Sequence, residues 1–144
     1  MITNILIATD GSELASKAVQ EGLMLAKQTG AKVTAVTVTS PFHTFTTDPT
    51  VAGSTPEEYK KNVAQQTTKT LSAVSEAAAA AGVPCDTVAA ENDHPYEAII
   101  DTARSKGCDL VVMASHRRSG LNGFLHGSET LKVLSHSDIP VLVG

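Results

Sequence analysis

Tryptophan is absent from this 144-residue sequence, and aromatic residues make up only 3% of it. A core without large rings has to be packed from Val, Ile, Leu and Ala, whose small volumes suit helices laid closely on a sheet. The same scarcity argues against the aromatic platforms on which single-stranded nucleic acid stacks. Cysteine is nearly as rare. Cys85 and Cys108 stand alone, without CxxC spacing, which fits a reducing compartment better than a disulfide scaffold. Positive charge is nowhere concentrated. The basic runs are the pairs Lys60-Lys61 and Arg117-Arg118, and a net charge of −4 argues against a nucleic-acid backbone as partner. No apolar run approaches the ~20 residues of a membrane span. The opening Met1-Ile2-Thr3-Asn4-Ile5 lacks the basic region, apolar stretch and cleavage site of a secretory signal, so the expected location is the cytoplasm.

What is present is an alternation of two periods. Asn4 to Thr9 is a short apolar run that ends in Asp10-Gly11-Ser12, the pattern of a strand buried on both faces and closed by a turn. Ala15, Val19, Leu23 and Ala26 then repeat at helical spacing, with Gly30 as the stop. Lys32 to Thr39 is rich in β-branched residues and reads as a second strand. From Ser40 to Ser54 the pattern dissolves into a connection longer than most, the kind that tends to be functional or mobile. Thr55-Pro56-Glu57-Glu58 predicts a capped helix start, with Glu58 completing a capping box, and the helix runs through Val63, Thr67, Leu71, Val74 and Ala78 to Gly82. Val83 to Ala90 is the third predicted strand. Pro95 opens a short helix that turns Ile99, Ile100 and Ala103 inward and ends near Gly107. Asp109 to Ala114 is the fourth and most apolar strand, Gly127 to His136 a last helix, and Ile139 to Val143 a fifth strand.

The order is β-α-β-α-β-α-β-α-β in one domain over residues 1–144. Strict alternation predicts an α/β fold, a parallel sheet with helices on both faces. In such sheets ligands bind outside the carboxyl ends of the strands, at the point where strand order reverses. Two segments gather there. Thr9-Asp10 ends the first strand, where Asp10 can accept a hydrogen bond from a ribose hydroxyl or adenine amine, or help to hold Mg²⁺. Gly127-Ser128 begins the last helix, whose free N–H groups and dipole suit a phosphate chain, with Ser128 and Thr130 as hydroxyl donors. A plainer reading stands beside each: Asp10 or Ser12 caps the first helix, and Ser128 caps its own. Neither GxGxxG nor GxxxxGK[ST] occurs. The five histidines share no metal-ligand spacing, and no GxSxG elbow supplies a nucleophile.

Ile5-Leu6-Ile7-Ala8-Thr9-Asp10-Gly11-Ser12, together with the block from Asp109 to Val143, resembles the universal stress protein family across essentially the whole chain. The resemblance implies a Rossmann-like three-layer α/β/α fold of the adenine-nucleotide-alpha-hydrolase-like kind, with a five-stranded parallel sheet in the order 3-2-1-4-5. It also implies an adenine-nucleotide site for ATP, ADP or AMP. In it Thr9 and Asp10 lie beside the nucleoside, and the main chain of Val38 meets the adenine edge. Met113 and Ala114 line the ribose side, His116 lies in the site loop, and Gly127, Ser128 and Thr130 hold phosphates. Nucleotide-binding members carry a Gly, two residues, a second Gly, nine residues, then Gly-Ser or Gly-Thr. Aligned here, those positions are Ala114, Arg117, Gly127 and Ser128, so the spacing is intact while the first two glycines are replaced. Arg117 would cost about 1 kcal/mol if its position needs a left-handed backbone, or would pair with phosphate oxygens. Glu129 replaces the small apolar residue that often follows Gly-Ser, and negative charge beside the phosphates would weaken ATP binding. The resemblance further implies a homodimer paired through Ile139 to Val143. Three functions remain open at this stage: a nucleotide-binding regulatory dimer, a slow ATP hydrolase with Asp10 and Mg²⁺ or His116 acting on water, and a nucleotide-free interaction module.

Overall fold

Strands β1 (Asn4–Ala8) and β4 (Leu110–Met113) are buried at every position, as their continuous apolar runs require. They stand side by side at the centre of a parallel five-stranded sheet. The outer strands are β2 (Lys32–Thr39), β3 (Cys85–Glu91) and β5 (Val141–Val143), in the order β3-β2-β1-β4-β5. The structure is a computed structural model and is described over residues 1–41, 55–115 and 127–144. The connecting helices are α1 (Glu13–Thr29), α2 (Pro56–Ala81), α3 (Pro95–Ser105) and α4 (Gly127–His136). Helix α1 packs beside α2, and α3 beside α4.

The start of α2 and the ends of α1 and α2 are capped as the sequence predicts. Thr55 Oγ1 accepts from Glu58 N at 3.1 Å while Glu58 Oε2 accepts from Thr55 N at 3.3 Å, a complete capping box. Gly30 and Gly82 end α1 and α2 in the left-handed conformation. The inward face of α1 includes a residue the periodic pattern does not stress. Gly22 lies so close to β1 that a Cβ there would sit 2.7 Å from Ile7 Cδ1.

Four strands differ in their bounds from the sequence reading, β3 also running on to Glu91 where Ala90 was expected. β3 begins at Cys85 rather than Val83, because Val83 N still closes α2 on Ala78 O (2.9 Å) and Pro84 has no N–H to give the ladder. β5 begins at Val141 rather than Ile139. Pro140 again lacks the donor, although its carbonyl accepts from Val111 N at 2.9 Å. β1 stops at Ala8 and β4 at Leu110–Met113, each shorter than its apolar run, since hydrophobicity marks burial and not ladder pairing.

The amino ends of the central strands are clamped by one carboxylate. Asp109 Oδ2 accepts from Thr3 N (2.8 Å) and Thr3 Oγ1 (3.0 Å), and Oδ1 accepts from Asn4 N (3.1 Å). Asn4, itself buried, donates to Lys106 O (2.9 Å) and accepts from the buried Thr34 hydroxyl (3.1 Å). Burial works to raise the Asp109 pKa, but the bonds from Thr3 and Asn4 outweigh it and hold the carboxyl below its usual range. With that end fastened, the open chemistry of the sheet lies at the opposite, carboxyl edge.

Candidate functional site

Strand order reverses between β1 and β4, so the carboxyl ends of these two strands and of β2 frame the place where an α/β sheet takes a ligand. The register brings the expected residues together there. Ala8 pairs with Val36, Ile7 with Val112, and Thr9 N donates to Val36 O at 3.0 Å. Thr9, Val38, Met113 and Ala114, all buried, therefore line adjacent strand ends.

The turn after β1 is built from its own side chains. Thr9 Oγ1 accepts from Gly11 N (3.2 Å) and Asp10 Oδ1 from Ser12 N (3.0 Å), while Ser12 Oγ accepts from Ala15 N (3.1 Å) and is the N-cap of α1. The capping role thus falls to Ser12, and Asp10 shapes the turn before it. Gly11 has φ 79°, the left-handed geometry that the tight reversal from strand to helix requires, and it lies against Thr70 of α2. A groove of ≈ 300 Å³ between α1 and α2 reaches this same turn, lined there by Thr9, Gly11, Ser12 and Thr70.

Val38 owes its place to ladder parity. Even-numbered residues of β2 bond towards β1, as Lys32 N does to Thr3 O and Val36 O does with Thr9 N. Odd-numbered residues bond towards β3, as Val33 N does to Pro84 O and Thr39 O does with Asn92 N. Among the described residues the ladder between β1 and β2 stops at the bond from Thr9 to Val36. The N–H and C=O of Val38 face past the end of β1, offering one donor and one acceptor at the edge of the site.

Ala114, which stands where a glycine is common, has a negative φ, since no described residue other than glycine is left-handed. Its backbone makes no demand for glycine, and its methyl group is buried. Gly127 opens α4, Ser128 is exposed in its first turn, and Thr130 is buried on its inner side along with Val133. His116 and Arg117 lie outside the described residues, as does the 42–54 part of the long connection.

Glu129 departs from its sequence reading. Its carboxylate is directed at α3: Oε2 accepts from Tyr96 N at 3.1 Å, and Oε1 pairs with Lys132 Nζ at 3.2 Å. By its position in the sequence, Glu129 reads only as charge near phosphate. The available signal was the start of α3, where His94-Pro95 offers no Ser, Thr, Asp or Asn to cap the helix.

Other chemistries find less support. Among the described residues no three His, Cys, Asp or Glu side chains gather to hold a metal. Burial pushes the thiols of Cys85 and Cys108 up, and Asp86 adds to the effect at Cys85, the opposite of what a reactive thiolate needs. No described helix is long and apolar enough to cross a membrane.

Comparison with known proteins agrees with this geometry. The profile of the universal stress protein family matches residues 1–143. Universal stress protein YxiE of Bacillus subtilis is 33% identical over 147 residues, covering 99% of this chain and 99% of its own. A universal stress family protein from Burkholderia pseudomallei has the same fold, with a TM-score of 0.78, 24% identity and coverage of 99% and 96% of the two chains. A universal stress protein crystallised with cAMP matches at a TM-score of 0.71, 23% identity and 99% and 97% coverage. One from Archaeoglobus fulgidus, in complex with dAMP, matches at 0.63, 19% identity and 99% and 98% coverage. Strand order, the turn after β1 and a whole-chain sequence match lead to one assignment: the chain belongs to the universal stress protein family.

Proposed function

We propose that this protein is a regulatory adenine-nucleotide-binding module of the stress-response type that works as a homodimer. The observation that carries the reading is the convergence at the switch point. Val38 presents a main-chain donor and acceptor past the end of β1, Thr9-Asp10 continue from β1 itself, Met113-Ala114 end the next strand, β4, and the first turn of α4 follows in sequence. In this reading the Val38 main chain meets the adenine edge, and Asp10 meets the ribose. Met113 and Ala114 back the sugar, and Gly127 and Ser128 give backbone N–H groups to the phosphates. Thr130, expected to add a hydroxyl to the phosphates, is buried in the same helix. His116 and Arg117, outside the described residues, belong to this reading by sequence position alone. Mg²⁺ would arrive with the phosphate chain, Asp10 being the side chain suited to it. Relatives of the same fold crystallised with cAMP and dAMP support the choice of an adenine nucleotide.

The dimer reading rests on the β5 edge. Leu142 and Val143 are 43% and 38% exposed on the outermost strand, and Leu131 and Leu134 of α4 are 64% and 46% exposed. Exposed apolar side chains beside an unpaired edge favour pairing with a second copy.

Calorimetric titration with ATP, ADP and AMP, with and without Mg²⁺, tests the nucleotide reading. Saturable binding that Gly127→Asp abolishes supports it, and a turnover assay then separates binding from slow hydrolysis. Absence of binding in wild-type protein free of carried-over nucleotide leaves a nucleotide-free interaction module.

A further inference from the structure

Helix α3 begins without a cap of its own. Its N-cap residue, His94, makes no side-chain bond to the helix, and Pro95 at the first helical position has no N–H. The next donor, Tyr96 N, points out of the helix and needs an acceptor from elsewhere. That acceptor comes from α4: Glu129 Oε2 receives the bond at 3.1 Å. Glu129 Oε1 holds Lys132 Nζ at 3.2 Å, and the Glu129 side chain is only 13% exposed. Lys132 Nζ lies 5.6 Å from the centre of the Tyr96 ring, and that ring meets His136 with centroids 5.1 Å apart. Three side chains of α4 thus close on one residue at the start of α3.

Glu129 sits in the same first turn as Gly127 and Ser128. A carboxylate there has two places to go. Towards the phosphates it would repel them. Towards α3 its charge is met by the positive end of a helix dipole and by an ammonium group, and it is spent on a cap.

We propose that Glu129 is a positioning residue: it ties the first turn of α4 to the start of α3 and so fixes the Gly127-Ser128 turn in the orientation that receives phosphate. The inference rests on the nucleotide reading above. A turn held in place before the ligand arrives loses less conformational freedom on binding, so the tie favours phosphate-bearing ligands.

The test compares wild type, Glu129→Ala and Glu129→Gln by calorimetric titration with ATP and with adenosine, alongside amide hydrogen exchange at Tyr96. The expected result is an ATP affinity reduced about tenfold in Glu129→Ala, the size of one lost charge-assisted bond, with adenosine affinity unchanged. Glu129→Gln keeps an oxygen for Tyr96 N and retains most of the ATP affinity. Exchange at Tyr96 is slow in wild type and Glu129→Gln and fast in Glu129→Ala. Tighter or equal ATP binding by Glu129→Ala overturns the inference while leaving the nucleotide reading intact, because it would mean that the carboxylate faces the phosphates or plays no part. Equal losses for ATP and adenosine overturn it too, as the mark of general loosening, and so does unchanged exchange at Tyr96. Wild-type protein that binds neither ligand overturns the nucleotide reading and this inference with it.

Discussion

Single residues set the two ends of the sheet, and each end makes its own prediction. At the carboxyl edge, Gly11 is left-handed and touches Thr70, whose Oγ1 would lie 2.7 Å from an added Cβ. Gly11→Ala is expected to cost about 1–2 kcal/mol from the backbone alone. Denaturant unfolding checks this, and a Thr70→Ala background should remove the contact but leave the backbone cost. At the amino edge, Asp109 carries a lowered pKa because Thr3 and Asn4 bond its ionised form more strongly than burial opposes it. A carboxyl depressed in the folded state stabilises the fold above its unfolded pKa, about 3.9, and that stability is lost as pH falls through the lower folded value. Wild type should therefore exceed Asp109→Asn by a constant margin between about pH 5 and 7, and the margin should shrink below about pH 4. A margin that does not change with pH would mean that the clamp acts through shape and not charge. The Asp10-Gly11-Ser12 turn was legible in the sequence because turn chemistry is local. The Asp109 clamp was not, since Thr3 is 106 residues away.

At the scale of elements, the close approach of α1 to β1 decides how far the helix can settle on the sheet. Gly22 is the point of contact, with Ile7 Cδ1 and Cγ1 at 2.7 and 2.9 Å from the position of a Cβ and Val112 Cβ at 3.7 Å. Alanine would raise helix propensity by about 1 kcal/mol, yet overpacking of a filled core costs about 1–3 kcal/mol. Gly22→Ala should be net destabilising in thermal or chemical unfolding. The pair with Ile7→Val, which removes the Cδ1 atom, should recover part of the loss, and strict additivity of the two changes would exclude this contact as the cause. The helical face itself was readable from Ala15, Val19, Leu23 and Ala26. The reason for a glycine among them was not, because it depends on a strand side chain that periodicity cannot place.

At the scale of the whole molecule, the sheet has two edges and handles them differently. β3 has no fully buried position and carries the exposed Asp86 and Glu91, charges that discourage edge-to-edge pairing. β5 carries the apolar Leu142 and Val143 and packs with α4, the helix that exposes Leu131 and Leu134. If β5 is the dimer edge, Leu142→Asp should convert a dimer to a folded monomer, read by sedimentation velocity with circular dichroism unchanged. A wild-type protein that sediments as a monomer at all concentrations would sink the dimer reading.

Element order, the capping box of α2, the glycine stops of α1 and α2, the parallel class of the sheet and the crowding of Thr9, Asp10, Met113 and Ala114 at strand ends were determined by the sequence alone. All of these follow from local periodicity, turn residues and the general rules of α/β chains. The tertiary structure decided the rest. It directed Glu129 to Tyr96, 33 residues back in the chain, and away from the expected phosphate site. It left the Val38 main chain facing past a strand that ends one step too early to pair with it. It clamped Asp109 to the chain start and set Gly22 against Ile7. The physical reason is common to all four: each depends on how segments apart in sequence are packed against one another, and local periodicity does not name the partner.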